Sequence, residues 1–476
     1  MEEITGTQRL ADWLVSMKYE DLPGDVVDQA KRMTLHVLGC SIGALGIEAT
    51  KRPILMALSK GGNKEATIWG SDGSRKVPAT EAAFANGTLA DFMDWEDCSW
   101  TGHPSASAIP VAMAMGEMKG ISGKDYITAV VAGFEGYIRL SMAVQPTQEF
   151  LAKGVGWGLT SWQIFAGAIP AAKIEGGFDG RKMNQLFGAC QYLTLAPVGR
   201  HSDGNAKSDI YHYAHGFASR NGITAMEVTK MGFDNMYNCF DGPRTAYWTC
   251  VSDRCRPEWI DKNLGSEWYI RGTYLKHWPS NMWVQTPLEA LDLMMKEHPF
   301  TVEQVDKLRI SPYMAMICGN YAETTRTCLD AQFSIPYCLT AYLMDKTHTM
   351  GAHWFTDDML NNQELIDFCN SRYDYTGAPT ATPPTCFAEF QAGSFPEVTV
   401  EVTLKDGTVL TKTMRYPKGH PLNNFTLEEE YDHFRLCCKP YMKDCQIERI
   451  IDLVSRLETL DNIRPLAELG AIGSKA

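Results

Sequence analysis

The sequence predicts a predominantly helical α+β protein, with a large helical domain drawn from both chain ends and a smaller α+β domain inserted between them. Three observations predict it. Apolar residues recur at helical spacing through about the first 250 positions. After about residue 265 the pattern changes to the period-two alternation of half-buried strands. From Thr426 it returns to helical spacing. These changes place the boundaries at 1–268, 269–420 and 421–476.

Taken in order, residues 25–45 form the first clear helical pattern, ended by Gly-rich punctuation. Ser122-Gly-Lys-Asp125 supplies an N-cap for a helix over 126–142, because a serine hydroxyl can accept from an otherwise orphaned N–H. Further helices are expected over 159–174, 182–195 and 217–231, with many small residues that let helix axes approach closely. Residues 306–310 and 397–416 alternate as strands. Asp406-Gly407 divides the second stretch into a hairpin, since Gly readily takes the positive φ of a tight turn. Thr426-x-x-Glu429 reads as a capping box opening a helix towards Tyr441, and 447–457 forms another.

The chain has 476 residues and a net charge of −13, from 44 Lys and Arg against 57 Asp and Glu. That surplus repels phosphate backbones, so a general nucleic-acid partner is not expected. Apolar stretches such as 108–115 are too short to span a bilayer, so no membrane span is expected. Met1-Glu2-Glu3 lacks the basic-then-apolar layout of an export signal. A cytoplasmic enzyme is the expectation. The 14 cysteines include no CxxC pair, and Cys437, Cys438 and Cys445 form the only local cluster. Buried or free thiols are expected, with no zinc or iron–sulfur site.

Chemistry concentrates between Asp91 and Ser105, where four carboxylates (Asp91, Asp94, Glu96, Asp97), Cys98, two Trp and His103 lie between apolar helices. Asp94 and His103 can form a carboxylate–imidazole pair that orients the ring and raises its basicity. A solvated acidic loop, with His103 merely satisfying a carbonyl, is the structural alternative. One His among carboxylates is weak grounds for a metal.

Several runs together resemble the MmgE/PrpD family. They are Glu65-Ala-Thr-Ile-Trp-Gly70, Ala82-Ala-Phe-Ala-Asn-Gly87, Met93-Asp94 and His103-Pro104, then His215-Gly-Phe-Ala-Ser-Arg-Asn-Gly222, Phe240-Asp-Gly-Pro243, Asp330-Ala-Gln-Phe-Ser-Ile-Pro-Tyr337 and 460–469. They keep family order across nearly the whole chain. The resemblance implies a helical domain with a smaller α+β lid, a homodimer and metal-independent chemistry on a small di- or tricarboxylic acid. Dehydration of a 2-methylcitrate-like acid is the leading reading, with cis-aconitate-type decarboxylation and iminodisuccinate-type epimerisation as alternatives. A non-catalytic scaffold is the alternative from another class.

By the same resemblance, Asp94 and His103 match the family's catalytic pair, with His103 as proton shuttle and Asp94 as its orienter. Lys276 matches an active-site Lys, read as a carboxylate anchor and a candidate proton donor. Three positions depart from the decarboxylase pattern: Gly158 and Asn281 stand where His is expected, and Tyr211 where Lys is expected. Arg200, His201, Lys207, His212, His215 and His277 are nearby candidates for the missing charge, with ordinary surface or helix-end roles as the alternative. Arg220 and Arg244 can clamp carboxylates bidentately or form structural salt bridges. Trp157, Trp162, Trp278 and Trp283 either line the pocket or belong to the core.

Overall fold

In the computed structural model, the structure describes residues 4–99, 101–147, 162–194, 209–233, 237–242, 247–312, 327–347, 349–377, 379 and 397–473. The helical patterns fold as helices. Gly24–Gly43 answers to the first of them, and Gly123–Val144 is capped by Ser122, whose hydroxyl accepts from Asp125 N at 3.2 Å. The capping box is present at Leu427–Cys438, where Thr426 and Glu429 satisfy each other's N–H groups. Gly24–Gly43 packs on Leu427–Cys438 and Asp444–Ser455, so the two chain ends share one helical body.

Helix Ile210–Met231 begins seven residues before the predicted start at 217. It runs through the body against Ala79–Asp91, Ser105–Lys119, Gln163–Glu175 and Gly180–Leu193. Glycines make this approach possible. A Cβ at Gly216 would meet Phe84 O at 2.4 Å, and one at Gly222 would meet Ala168 N at 2.7 Å. The early start puts Tyr211, His212 and His215 on a buried helix instead of a loop.

One expectation is corrected. Gly123–Val144 is long and apolar enough to cross a membrane, and its apolar window is buried throughout against other helices, as in a core helix.

The strands are Asp97–Cys98 (β1), Tyr274–Leu275 (β2), Val305–Ser311 (β3), Val398–Leu404 (β4) and Val409–Met414 (β5). β3, β4 and β5 form an antiparallel sheet in that order. Val398, Val400 and Val402 alternate inward, and helix Met282–Glu297 packs on β4 and β5. The β4–β5 hairpin turns at Asp406-Gly407, with Gly407 at φ 89°. β1 and β2 pair antiparallel, Asp97 opposite Leu275 and Cys98 opposite Tyr274. This short ladder joins the acidic loop to a segment almost 180 residues away, and it positions the site.

Candidate active site

Helix Ala79–Asp91 ends at Asp91, and Asp94 N donates back to Asp91 O at 2.8 Å. Asp94 takes φ 48°, a left-handed conformation that Asp tolerates better than most side chains. The turn sends Glu96 into the start of β1, and Lys276 N donates to Glu96 O at 3.2 Å, continuing the ladder by one pair. The chain reverses at Ser99–Gly102 and enters helix Ser105–Lys119 just after His103. Asp97 accepts from Ser105 N at 3.3 Å and from the Ser105 hydroxyl, placing a carboxyl at the helix start. Burial, partly offset by Ser105, pushes the Asp97 carboxyl up to about 7.

Lys276 is wholly buried. Its ammonium donates to Asp94 O at 2.9 Å, to Glu96 Oε1 at 2.9 Å and to Asp94 Oδ1. An ammonium has three N–H bonds, and all three are used. Burial opposes the charge, but Asp94 and Glu96 outweigh it and hold the Lys276 pKa above its ordinary value. In this arrangement the ammonium spends its donors on Asp94 and Glu96.

His103 Nδ1 lies 2.7 Å from both Asp97 O and Glu96 Oε1. Thus Glu96, and not Asp94, orients the imidazole. The reason is register: Asp94 and Glu96 both turn to the Lys opposite them, and Glu96 is the one that also reaches His103. With Nδ1 engaged, Nε2 is the ring nitrogen left to face a reactant. Burial and the Lys276 charge both disfavour imidazolium, but Glu96 and Asp94 outweigh them and raise the His103 pKa above 6.5. Glu96 experiences the reciprocal effect. Burial pushes it up, yet Lys276 and His103 hold it well below the usual carboxylate range.

Behind this group lies a second cluster. Asp91 Oδ2 is 2.7 Å from His212 Nδ1, and Asp91 Oδ1 is 3.3 Å from His215 Nε2 without hydrogen-bond alignment. The His215 ring meets His103 edge-on at 5.9 Å and Tyr211 at 6.3 Å. Burial, with repulsion from His103, pushes His215 down to about 3, and burial also lowers His212.

The remaining sequence candidates divide. Asn281 Nδ2 approaches Asp94 Oδ2 at 3.4 Å while its Oδ1 caps helix Met282–Glu297, and Tyr211 is buried beside His212 and His215. Both belong to the site. His277 turns away, its Nδ1 2.7 Å from Glu289 Oε2. Arg220 pairs with Glu81 at 2.6 Å and lies over the Phe84 ring, so it forms a structural bridge and no clamp. Trp162 donates to Tyr137 Oη at 3.1 Å, Trp278 donates to Glu289 at 2.9 Å, and both are buried; Trp283 is buried as well. Arg244, Gly158, Trp157, Arg200, His201 and Lys207 lie outside the described residues. Pairwise reading missed the contacts that Glu96 and Asp91 make. Their signal was the density of the acidic run itself.

Asp94, Glu96 and His103 each offer one ligand atom, all within 4.8 Å of one another. The Lys276 ammonium already sits between the two carboxylates, so a metal would have to displace it and leave it buried without its acceptors. The residues do not fit a metal.

The chain matches the MmgE/PrpD N-terminal domain over residues 8–257 and the MmgE/PrpD C-terminal domain over residues 278–459. It is 23% identical to a cis-aconitate decarboxylase of Aspergillus terreus (strain NIH 2624 / FGSC A1156), covering 97% of this chain and 95% of that protein. The cis-aconitate decarboxylases of Mus musculus and Homo sapiens are 23% and 24% identical, again over 97% of this chain and over 93% and 94% of their own lengths. With both domains matched in order around one buried Lys–carboxylate–His group, the chain belongs to the MmgE/PrpD family.

Proposed function

We propose that the chain is a lyase acting on a small di- or tricarboxylic acid, without a cofactor, by moving a proton next to a carboxylate. One observation carries the reading: a buried imidazole is fixed through Nδ1 by Glu96 and the Asp97 carbonyl, and the neighbouring carboxylates raise its basicity. Loss of CO2 breaks a C–C bond and leaves an electron pair on carbon, which must be protonated. His103 Nε2–H donates that proton, and Glu96 and the Asp97 carbonyl hold the ring in place beforehand. Lys276 helps keep Glu96 anionic.

Decarboxylation is favoured because the full-length relatives are cis-aconitate decarboxylases. Dehydration of a 2-methylcitrate-like acid runs the transfer the other way, with a neutral imidazole taking a proton from carbon while hydroxide leaves the neighbouring carbon, and epimerisation takes a proton from one face and returns one to the other. The homodimer implied by the resemblance belongs to the same proposal and is read from the mass in solution.

The test is NMR in D2O on purified protein with cis-aconitate, 2-methylcitrate and aminodicarboxylates. Decarboxylation gives CO2 and one carbon-bound deuterium; dehydration gives a new alkene without CO2; epimerisation washes in deuterium at constant composition. His103→Asn should abolish whichever is found. Turnover of none of these acids, or full activity in H103N, would overturn the proposal, and binding without turnover would favour a scaffold.

A further inference from the structure

Asp91 and Glu96 are both buried, and their carboxyl groups lie within hydrogen-bonding reach of each other. Asp91 Oδ1 and Glu96 Oε2 each lack a hydrogen-bond partner among the described residues. Two orphan acceptors side by side in a dry interior repel, whereas a single proton between them makes a charge-assisted O–H···O bond. We propose that Asp91 is an uncharged carboxylic acid that donates to Glu96, and so acts as the positioning residue for the carboxylate that orients His103.

The surroundings decide which carboxyl carries the proton. Glu96 is paired with the Lys276 ammonium at 2.9 Å and with His103 at 2.7 Å, so it is the anion. Asp91 has no comparable cation. The groups facing it are the carboxylates of Glu96 and Asp94, the imidazoles of His212 and His215 from helix Ile210–Met231, and the more remote Lys276. Both imidazoles are neutral at ordinary pH, because burial lowers them. Burial and the two neighbouring negative charges likewise push the Asp91 carboxyl well above its usual range. His212 Nδ1–H then donates to Asp91 Oδ2, and Asp91 passes the polarity on by donating to Glu96. A buried acid kept neutral so that it can donate a hydrogen bond is a known catalytic device.

The assignment makes an unusual demand. Asparagine, normally a poor substitute for a catalytic carboxylate, should serve here, since its amide N–H can donate to Glu96 while its carbonyl accepts from His212. Asp91→Asn should keep kcat within about 3-fold and leave the alkaline limb of the pH profile in place. Asp91→Ala, which removes the donor to a charged group, should lower kcat by about 10- to 100-fold and shift that limb. Two readouts do not depend on the proposed reaction. The His103 Cε1 proton, followed by NMR, should titrate alike in wild type and D91N but not in D91A. At neutral pH the wild-type infrared spectrum should contain a protonated-carboxyl C=O band that D91N lacks. Damage from D91N equal to that from D91A, an unchanged D91A, or no band lost in D91N would each overturn the proposal. If no acid is turned over, the reading of function fails while the NMR and infrared outcomes still decide the state of Asp91.

Discussion

Replacing Glu96 by Gln keeps the shape of the side chain and removes one negative charge from between two cations. Glu96 Oε1 is 2.7 Å from His103 Nδ1 and 2.9 Å from Lys276 Nζ, with no solvent between them. Opposite charges about 4 Å apart attract by about 4 kcal/mol at an effective dielectric near 20, and part of this is offset because a neutral amide costs less to bury. A contacting carboxylate typically moves a partner's pKa by about 1–3 units. In the variant His103 should therefore lose its largest upward influence and fall. A group whose pKa is raised is charged below that pKa, so wild-type activity should be lost only as pH rises through the raised value. In E96Q that loss should move about 1–3 units towards acid, lowering kcat/KM about 10- to 1,000-fold on the alkaline side of both profiles, with recovery as pH falls through the shifted value. The assay is a pH–rate profile with the substrate found above, paired with NMR titration of the His103 Cε1 proton, assigned by comparison with H103N. A profile that superimposes on wild type, or an unmoved titration, would refute the reasoning.

Lys276→Met should strand two buried carboxylates and destabilise the fold by about 3–5 kcal/mol; an unchanged melting temperature would show that the ammonium is dispensable. His277→Ala should leave kcat and KM within about 2-fold, because the ring faces Glu289, and a large rise in KM would put it back in the substrate pocket. Arg220→Ala should cost about 1–2 kcal/mol in urea denaturation through the Glu81 pair and the Phe84 ring contact, with kcat/KM unchanged. Glu430 is pushed up to about 8, mainly by burial against weak support from Arg32 at 3.5 Å. Its raised pKa makes it bind its proton more tightly when folded, so it costs stability increasingly from about pH 4.5 to 8. The stability gained by Glu430→Gln should grow by up to about 1.4 kcal/mol per pH unit in that window, and a pH-independent difference would contradict the assignment.

Local signals were legible because their physics is local. Ser122, Thr426 with Glu429, and Asp406-Gly407 each act within four residues, and each forms the expected cap or turn. The start of Ile210–Met231 was not legible, since Tyr-His-Tyr-Ala-His shows no helical apolar stripe until Asp91 supplies a buried polar partner. The acidic run marked where chemistry lies, but pairings within it depend on register. Glu96 meets Lys276 only because β1 and β2 pair Asp97 with Leu275, a choice made 178 residues away in sequence. From the sequence, Asp94 and Glu96 are equivalent carboxylates near one His. In space one closes on the ammonium and the other bridges ammonium and imidazole.

Gly216, next to His215, shows how such a site can be inherited or altered. The main chain of helix Ile210–Met231 rests almost directly on Ala79–Asp91 there, and a methyl group would drive the two helices apart. The distance between Asp91 and His212 is thus set by backbone contact, which side-chain drift elsewhere leaves untouched. A laboratory search for new substrates can randomise pocket residues such as Tyr211 and Asn281 and keep the proton machinery, provided the glycine seam is left out of the library. A single alanine at position 216 would remove it.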